Sequence, residues 1–445
     1  MIVGLLKLED QLKKFANDQG VKVVGVAGPD RLDGPPSLDL SYTMPGAQSV
    51  IVLILPMNVP AIYDFLSKKS PASHNFDQFV NYQRMLQVEN NLANYLISLG
   101  YKAKAAPTSA DYRPSLYVFS TQPALSLRLA AIASGIAGQS WSGNVMTKEY
   151  GAAIFLGAVV TDAFLASDPQ LPINYFIEKF CLKCKRCVGS CPSHMFAADN
   201  MEYVLLNGEL HSRGKRRNID LCKISCFGLH SLSVDRKWSN WGIHWIDDWV
   251  REPPNPANRL KIFAAMLKRG LTTGDSTQRF DILRRLCCYL WDDKVFEGIP
   301  GLDEFPETEA ARYAILSKLM GRVGIFGIEK YPIPMICGHC ALVCAADQDE
   351  TAKRYRMLIK SGIVVPGENG RMVNVSSFEE ALELKRQFPT RSGVKKNLKD
   401  TVATLLLWHK QYFGFDFKTS IKAWKYQRQL DKAVKYLERQ KEITD

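Results

Sequence analysis

The feature that most constrains this chain is a run of four cysteines followed by a proline. Cys181, Cys184, Cys187 and Cys191 precede Pro192 with the spacing C-x2-C-x2-C-x3-C-P. This spacing is typical of bacterial ferredoxins, in which the first three thiolates bind one [4Fe–4S] cluster and the fourth binds a second cluster. The run therefore predicts a further group of cysteines elsewhere in the chain.

That second group lies near residue 340, where the spacing is C-x2-C-x3-C. With one more cysteine, the two groups supply the eight ligands that two clusters require. We predict that cluster one is bound by Cys181, Cys184, Cys187 and Cys344. We predict that cluster two is bound by Cys191, Cys337, Cys340 and either Cys222 or Cys226.

The sequence leaves two points about the cysteines open, namely the last ligand of cluster two and the identity of the metal. We favour Cys222 over Cys226 as the last ligand because Asp220 and Leu221 precede it. A pair of zinc sites is the alternative to two clusters, but zinc does not require a C-x2-C-x2-C triplet. Cys287 and Cys288 stand side by side in an apolar, helical context, so we interpret them as buried structural thiols.

The cysteine content also bears on the cellular compartment. The N-terminal stretch MIVGLLKLEDQLKK has neither the basic start nor the cleavage site of an export signal. No apolar run approaches the ~20 residues that a membrane-spanning helix needs. We therefore expect a cytoplasmic protein that contacts a membrane, if at all, from its surface. Thiols are kept reduced there, so the eleven cysteines favour metal binding over disulfides.

Positive charge is concentrated at the C-terminal end of the chain. The formal net charge is +12, and residues 385–445 hold 15 Lys and Arg against 6 Asp and Glu. Such a segment suits an acidic partner. Nucleic acid, an anionic membrane surface and an acidic electron-carrier protein are the three candidates.

Composition and periodicity divide the chain into four regions. Residues 1–175 predict an α/β domain, and residues 176–230 with 337–350 predict a ferredoxin-like iron–sulfur module. Residues 231–336 form a Trp-rich insertion that we expect to be mostly helical. Residues 351–445 form a basic region that we also expect to be helical.

Hydrophobic periodicity predicts the main elements of the first region and one long helix at the end. The expected helices are Leu8–Gln19, Phe76–Gly100, Leu125–Ile136 and Thr419–Lys441. The expected strands are Val21–Val26, Ser49–Leu55, Tyr101–Ala105 and Ala152–Val160. The continuous β-branched run SVIVLIL indicates a strand that is covered on both faces.

Four tryptophans in the insertion have helical spacing. Trp238, Trp241, Trp245 and Trp249 are separated by three or four residues, which predicts one face of a helix. Two interpretations remain open: a stripe that packs into the core, or the lining of a hydrophobic substrate cavity. Trp291 follows further along the same insertion.

Several ordered segments resemble one enzyme superfamily. They are MPGAQSVIVLILPM (Met44–Met57), LANYLISLGYKAKAAP (Leu92–Pro107), the stretch Leu129–Asp162, the ferredoxin run and ICGHCALVCAAD (Ile336–Asp347). Together they resemble the epoxyqueuosine reductases and reductive dehalogenases over about residues 1–230 and 336–347. The ordered set is more specific than the cysteine run alone.

This resemblance implies a nitroreductase-like α/β domain that binds cobalamin, a corrinoid, in its base-off form beside two [4Fe–4S] clusters. By analogy, the corrinoid would lie against two backbone stretches rich in glycine, a residue that permits close approach to a flat ligand. The residues expected to contact it are Gly135, Gly138, Gly143, Asn144, Tyr150, Gly151 and Thr161.

The resemblance leaves the proton donor open. Epoxyqueuosine reductases place an aspartate just before an Ala-Pro pair, and Ser120 occupies that position here, although a hydroxyl is a poor acid near pH 7. Reductive dehalogenases use a tyrosine with a nearby cation. Tyr117 is the corresponding candidate here. Other tyrosines and cations in reach along the sequence are Tyr112, Tyr150, Arg113 and Arg128.

Our leading interpretation is a corrinoid-dependent, reductive-dehalogenase-like reductase. In it, electrons pass from a low-potential donor such as ferredoxin or flavodoxin through two clusters to cobalt, where a bond of a small-molecule substrate is cleaved. The first alternative is epoxyqueuosine reduction on tRNA, which the basic C-terminal region would favour. The second alternative is an iron–sulfur electron-transfer protein without enzymatic activity.

Overall fold

The computed structural model describes residues 7–106, 112–113, 122–226, 229–252, 255, 257–258, 260–262, 264–265, 306–322, 337–389 and 417–444. Several predictions lie outside the described residues. They concern Tyr117, Ser120, Cys287, Cys288 and Trp291.

The helices and strands are numbered in chain order. The helices are α1 (Leu8–Asp18), α2 (Val59–Leu66), α3 (Ala72–Ser98), α4 (Leu127–Ala133), α5 (Arg186–Gly189), α6 (Ile219–Cys226), α7 (Asp247–Arg251), α8 (Glu309–Arg322), α9 (His339–Leu342), α10 (Gln348–Ile359), α11 (Phe378–Gln387) and α12 (Phe417–Thr444). The strands are β1 (Val23–Ala27), β2 (Ser49–Pro56), β3 (Ala103–Ala105), β4 (Tyr112–Arg113), β5 (Gln122–Pro123), β6 (Gly138–Gln139), β7 (Val145–Met146), β8 (Ile154–Thr161), β9 (Phe196–Leu206), β10 (Glu209–Arg216), β11 (Ile363–Pro366) and β12 (Met372–Val375).

A four-stranded sheet organises the N-terminal region. Its strand order is β1-β2-β8-β3, and every neighbouring pair is antiparallel. The β-branched strand β2 lies inside the sheet and is buried along seven of its eight residues. The predicted strands at these four places are confirmed, and so is the prediction that β2 is covered on both faces.

Helices cover both faces of this sheet. On one face, α1 and α3 pack against it through residues such as Leu12, Val88 and Leu92. On the other face, α4 packs with Ala130 and Ile132 against alternate residues of the same strands. The mixed α/β character that the sequence predicts is therefore confirmed, as three layers with an antiparallel sheet in the middle.

Local sequence explains where these helices begin and end. The Ser126 hydroxyl caps the start of α4 by accepting from the Leu129 N–H. Gly135 follows α4 with a φ of +73°. Helices often end at a residue in this left-handed conformation, which glycine adopts with little backbone strain. Helix α3 begins at Ala72, four residues before the predicted Phe76.

The predicted tryptophan helix is wrong. Trp238, Trp241 and Trp245 lie outside any helix, and only Trp249 is helical, within α7. The backbone of this segment is bonded to other segments instead, since the Ser239 N–H donates to the Gly362 carbonyl. A backbone group used in this way cannot join an i to i−4 helical ladder.

The tryptophans serve as core residues of different clusters. Trp238 and Trp241 pack with Phe65 of α2, whereas Trp245 packs with Phe378 of α11 at 5.7 Å between ring centroids. All three of these indoles are at most 5% exposed. The interpretation as core packing is therefore correct for Trp238, Trp241 and Trp245, and the interpretation as a cavity lining is not.

The region after residue 351 is only partly helical. The predicted C-terminal helix is confirmed as α12, but β11 and β12 form an antiparallel hairpin where we expected helix and loops. The run Ile363, Val364 and Val365 is β-branched and fully buried, which favours a strand. Within the described residues, no helix combines the length and the apolar character needed to cross a bilayer.

Gly151 joins the sheet domain to the last cysteine. Its φ is +62°, and a Cβ there would lie 2.3 Å from the carbonyl carbon of Ala345 and 2.5 Å from the Cys344 carbonyl oxygen. The neighbouring Ala152 N–H donates to the same Cys344 carbonyl at 2.9 Å. Backbone therefore packs directly on backbone at this junction.

We predict that Gly151→Ala lowers the free energy of unfolding by about 2 kcal/mol or more beyond the cost of the positive φ. The added Cβ would clash with neighbouring backbone atoms, which move less easily than a side chain. Gly46→Ala is the matched control, since Gly46 has a φ of +82° and no atom within 4 Å of the added Cβ. Urea unfolding of both variants measures the difference. Equal destabilisation of the two would contradict the proposed contact.

Candidate metal centre

The ferredoxin run is wound tightly in the structure. A short π-helix, Ile177–Cys181, ends at Leu182, and Leu182, Lys183 and Lys185 have positive φ values of 48°, 50° and 59°. A side chain in this left-handed region is strained by about 1–3 kcal/mol and persists only when its surroundings impose it. Here the winding turns three closely spaced cysteines towards the same part of the interior.

The cluster-one cysteines are gathered in one place. Burial raises the pKa of the Cys187 thiol well above its usual value, and the charges of Cys344, Cys181, Cys340 and Cys184 raise it further. Burial likewise raises the pKa of Cys344, to which Cys181 and Cys184 also contribute. The structure thus brings Cys344, from the far end of the sequence, to the ferredoxin run.

The cluster-two cysteines form a second group. Burial raises the pKa of Cys222 well above its usual value, followed by the charges of Cys226, Cys191, Cys340 and Cys337. Burial also raises the pKa of Cys191, to about 11. Buried thiols in such proximity lose their protons only when a cation compensates them, which is what metal binding provides.

Hydrogen-bond donors point at three of these sulfur atoms, and a histidine nitrogen lies against a fourth. The Trp141 N–H donates to Cys181 Sγ at 3.2 Å and the Met195 N–H to Cys191 Sγ at 3.3 Å. The Asn144 amide donates to Cys340 Sγ at 3.2 Å. His339 Nδ1 lies 3.2 Å from Cys337 Sγ. Donors to sulfur are one of the means by which proteins adjust the potential of a cluster.

The cysteines fit iron–sulfur ligation in residue type and number. In the part of the chain that the structure describes, no three His, Cys, Asp or Glu side chains are grouped so as to hold one metal ion, so the division of the cysteines between two clusters stays a prediction. Cys222 and Cys226 are four residues apart, on one face of α6. The choice between Cys222 and Cys226 thus remains a prediction.

Some of the predicted corrinoid contacts lie at the cysteines. Asn144 bonds Cys340, and Gly151 contacts the backbone of Cys344. Gly143 has a φ of +69°, and a Cβ there would lie 2.7 Å from the guanidinium of Arg216. These close approaches involve protein atoms, so packing within the protein is enough to explain why these residue types occur at these positions.

The other predicted contacts lie elsewhere. Gly135 and Gly138 line a cavity of about 30 Å³, room for one or two waters, and Cβ atoms there would meet Pro169 and Phe176. Thr161 is fully buried in β8, where its hydroxyl donates to the Lys102 carbonyl. Tyr150 packs against the sheet core. Corrinoid contact at these residues stays a prediction.

A group of charged and polar side chains near the cluster-two cysteines was not apparent from the sequence. It is centred on Arg128 at the start of α4, on which the charges of Cys340, Cys222, Arg213 and Tyr82 act. We infer a recess around this side chain and call it the Arg128 recess.

Positive charge accumulates around the Arg128 recess. Burial, Arg213 and Arg128 lower the pKa of Arg216 to about 9. Glu202 pairs with Arg213 at 2.7 Å. The guanidinium of Arg216 approaches the carbonyls of Ser142 and Gly143 at 3.4 Å. Of the residues around the recess, the sequence singled out only Arg128 and the cysteines, since Tyr82 lies on a distant helix with no motif around it.

Relatives of two kinds match the chain. An epoxyqueuosine reductase of Atelocyanobacterium thalassa (isolate ALOHA) is 25% identical over 232 residues, which cover 46% of this chain and 70% of that protein. A tetrachloroethene reductive dehalogenase of Desulfitobacterium hafniense is 28% identical over 158 residues, which cover 36% of this chain but only 25% of that protein. The predicted relation to this superfamily is confirmed, and the relatives of both kinds are reductases.

Solved structures of both kinds also align with the chain. The catabolic reductive dehalogenase NpRdhA aligns with a TM-score of 0.37 and 14% identity, over 60% of this chain and 38% of that chain. An epoxyqueuosine reductase crystallised with an epoxyqueuosine-modified tRNA-Tyr stem loop aligns with a TM-score of 0.33 and 13% identity, over 71% and 99%. No protein-family model matches the chain.

We predict that the anaerobically reconstituted protein holds about eight iron atoms per chain and that Cys222→Ser holds about four, because cluster two loses a ligand. The matched variant Cys226→Ser, one turn away on α6, should keep all eight. Iron and sulfide analysis, together with zinc analysis of the same samples, measures this. The reverse pattern would make Cys226 the ligand, and zinc in place of iron would refute the clusters.

Proposed function

We propose that this protein is a reductase that carries two [4Fe–4S] clusters and a corrinoid. The single observation that supports it most is the packing of Cys340 and Cys344 with Cys181 and Cys187, which lie far apart from them in sequence. Relatives that are reductases point to the same chemistry. The ligands of the two clusters are those predicted above, with Cys222 as the last ligand of cluster two.

The corrinoid is proposed to lie in the Arg128 recess. The charges of Cys340 and Cys222 act on Arg128, which supports a corrinoid position near cluster two and a short path for an electron. When bound, the corrinoid would supply a cobalt centre that takes electrons from the clusters and reductively cleaves a bond of the substrate. Arg128 and Arg216 would hold anionic or polar groups there and keep the recess attractive to them.

Tyr82 and Arg128 are proposed as the proton donor and its partner. A phenol has an ordinary pKa of about 10, and a neighbouring cation stabilises its anion and makes it a better acid. Tyr82 lies on α3 with its ring edge against Phe155, 5.1 Å between centroids, and its charge acts on Arg128. The pair has the tyrosine-and-cation composition of the donor in reductive dehalogenases.

We predict that Tyr82→Phe binds cobalamin as the unaltered protein does but loses turnover about 100-fold or more in kcat, because only the acidic hydroxyl is removed. Tyr95→Phe on the same helix is the control, since Tyr95 stacks on Phe15 away from the cysteines. Anaerobic absorbance measures the binding. Turnover is measured with tetrachloroethene and with an epoxyqueuosine-modified tRNA stem loop. Absence of cobalamin binding with intact clusters would refute the proposed function.

Epoxyqueuosine reduction on tRNA is the second candidate, and α12 favours it. This helix carries exposed Lys425, Lys432 and Lys435, and its exposed aromatic residues Trp424 and Tyr436 are 54% and 66% accessible. Basic and aromatic side chains on one exposed element suit a nucleic acid, by phosphate contacts and base stacking.

We predict that changing Lys425, Lys432 and Lys435 together to Gln weakens binding of a tRNA stem loop about tenfold or more and lowers its salt dependence. The control changes three exposed lysines elsewhere, Lys7, Lys22 and Lys360, to Gln, which keeps the same net charge. Fluorescence anisotropy at several salt concentrations measures both quantities. Equal losses in both triple variants would leave only a general charge effect and would remove the support from α12.

A further inference from the structure

A lysine is buried beside cluster two without a partner. Lys68 follows α2 and is only 5% exposed, and its Nζ makes no hydrogen bond among the described residues. The rings of Trp238 and Trp241 lie over it, each with its centroid 6.0 Å from Nζ. Lysines are almost never fully buried unless they are paired with an opposite charge.

The backbone at this position makes a lysine still less expected. Lys68 has a φ of +60°, in the left-handed region just after the end of a helix. Glycine or asparagine usually occupies such a position. Strain at the backbone and a buried ammonium are both unfavourable, so a compensating interaction is needed at this place.

Among the described residues, no carboxylate forms an ion pair with Lys68, and the nearest one in sequence, Asp64, pairs with Lys69 at 3.4 Å. The Trp238 ring over Lys68 also packs against His339, with 5.3 Å between ring centroids, and His339 Nδ1 lies 3.2 Å from Sγ of Cys337, a predicted ligand of cluster two. Burial lowers the pKa of Lys68 to about 7, and the negative charge of Cys337 raises it, so an anion at Cys337 favours the ammonium.

We propose that Lys68 acts through cluster two as a positioning residue. Its ammonium raises the reduction potential of cluster two above the value that the cluster would have without this charge. This inference rests on the two clusters of the proposed function. Reduction adds one electron, and so one negative charge, to cluster two. An ammonium shielded from water by two indole rings stabilises that charge with little screening. The electron comes from a low-potential donor by way of cluster one.

The test is an anaerobic redox titration followed by electron paramagnetic resonance on the reconstituted protein. Lys68→Met should lower the reduction potential of cluster two, so that the fraction of electrons on it relative to cluster one falls at least tenfold. A tenfold change is about 59 mV for a one-electron centre. Lys68→Arg should keep the potential because it keeps the charge. Lys69→Met is the matched control, because that neighbouring side chain is 72% exposed and its charge is solvated.

Each outcome of the titration either supports or contradicts the role proposed for Lys68. Full iron content in Lys68→Met with unchanged potentials would overturn the inference and leave the proposed function standing. Loss of iron in Lys68→Met but not in Lys68→Arg would overturn it, because the charge would then serve assembly of the cluster and not its potential. Loss of iron in both variants would overturn it in favour of a steric role. Absence of clusters from the unaltered protein would refute the proposed function itself.

Discussion

The structure depends on one constraint, the convergence of cysteines from three separate segments of the chain, of which Cys181, Cys187, Cys191 and Cys337 are buried. Thiols brought together in this way repel one another when ionised, so they would lose their protons only to a bound cation. The rest of the chain serves this convergence. Left-handed residues wind the ferredoxin run, α6 carries Cys222 and Cys226, and Gly151 lets the Cys344 backbone dock on the sheet domain.

Function in this arrangement would follow from the contact between two different modules. In the proposed site, the sheet domain would contribute Tyr82 and Arg128, and the cysteine module would contribute Cys222 and Cys340. An epoxyqueuosine reductase and a tetrachloroethene reductive dehalogenase are both similar to this chain, and one fold can carry different activities.

The errors in the sequence predictions have a common cause. The tryptophan spacing of three and four fits a helix, yet Ser239 and its neighbours bond to the segment around Gly362 and hold an irregular path. The hairpin of β11 and β12 was missed for a related reason. Its two strands bond to each other, and the apolar pattern does not show that pairing. Periodicity records which residues are apolar, but it does not record where the backbone hydrogen bonds go.

The sequence by itself determined the cysteine spacing, the buried strand β2, the helices α1 and α3 and the basic helix α12, because each depends on residues that are neighbours along the chain. Only the tertiary structure decided that Cys344 would pack with Cys181 and Cys187, that the indole over Lys68 would lie against His339, and that two predicted corrinoid glycines would pack on Pro169 and Phe176. These contacts join side chains from separate elements. Their existence depends on how whole layers pack, and packing is set by the sum of many buried contacts and not by any local pattern.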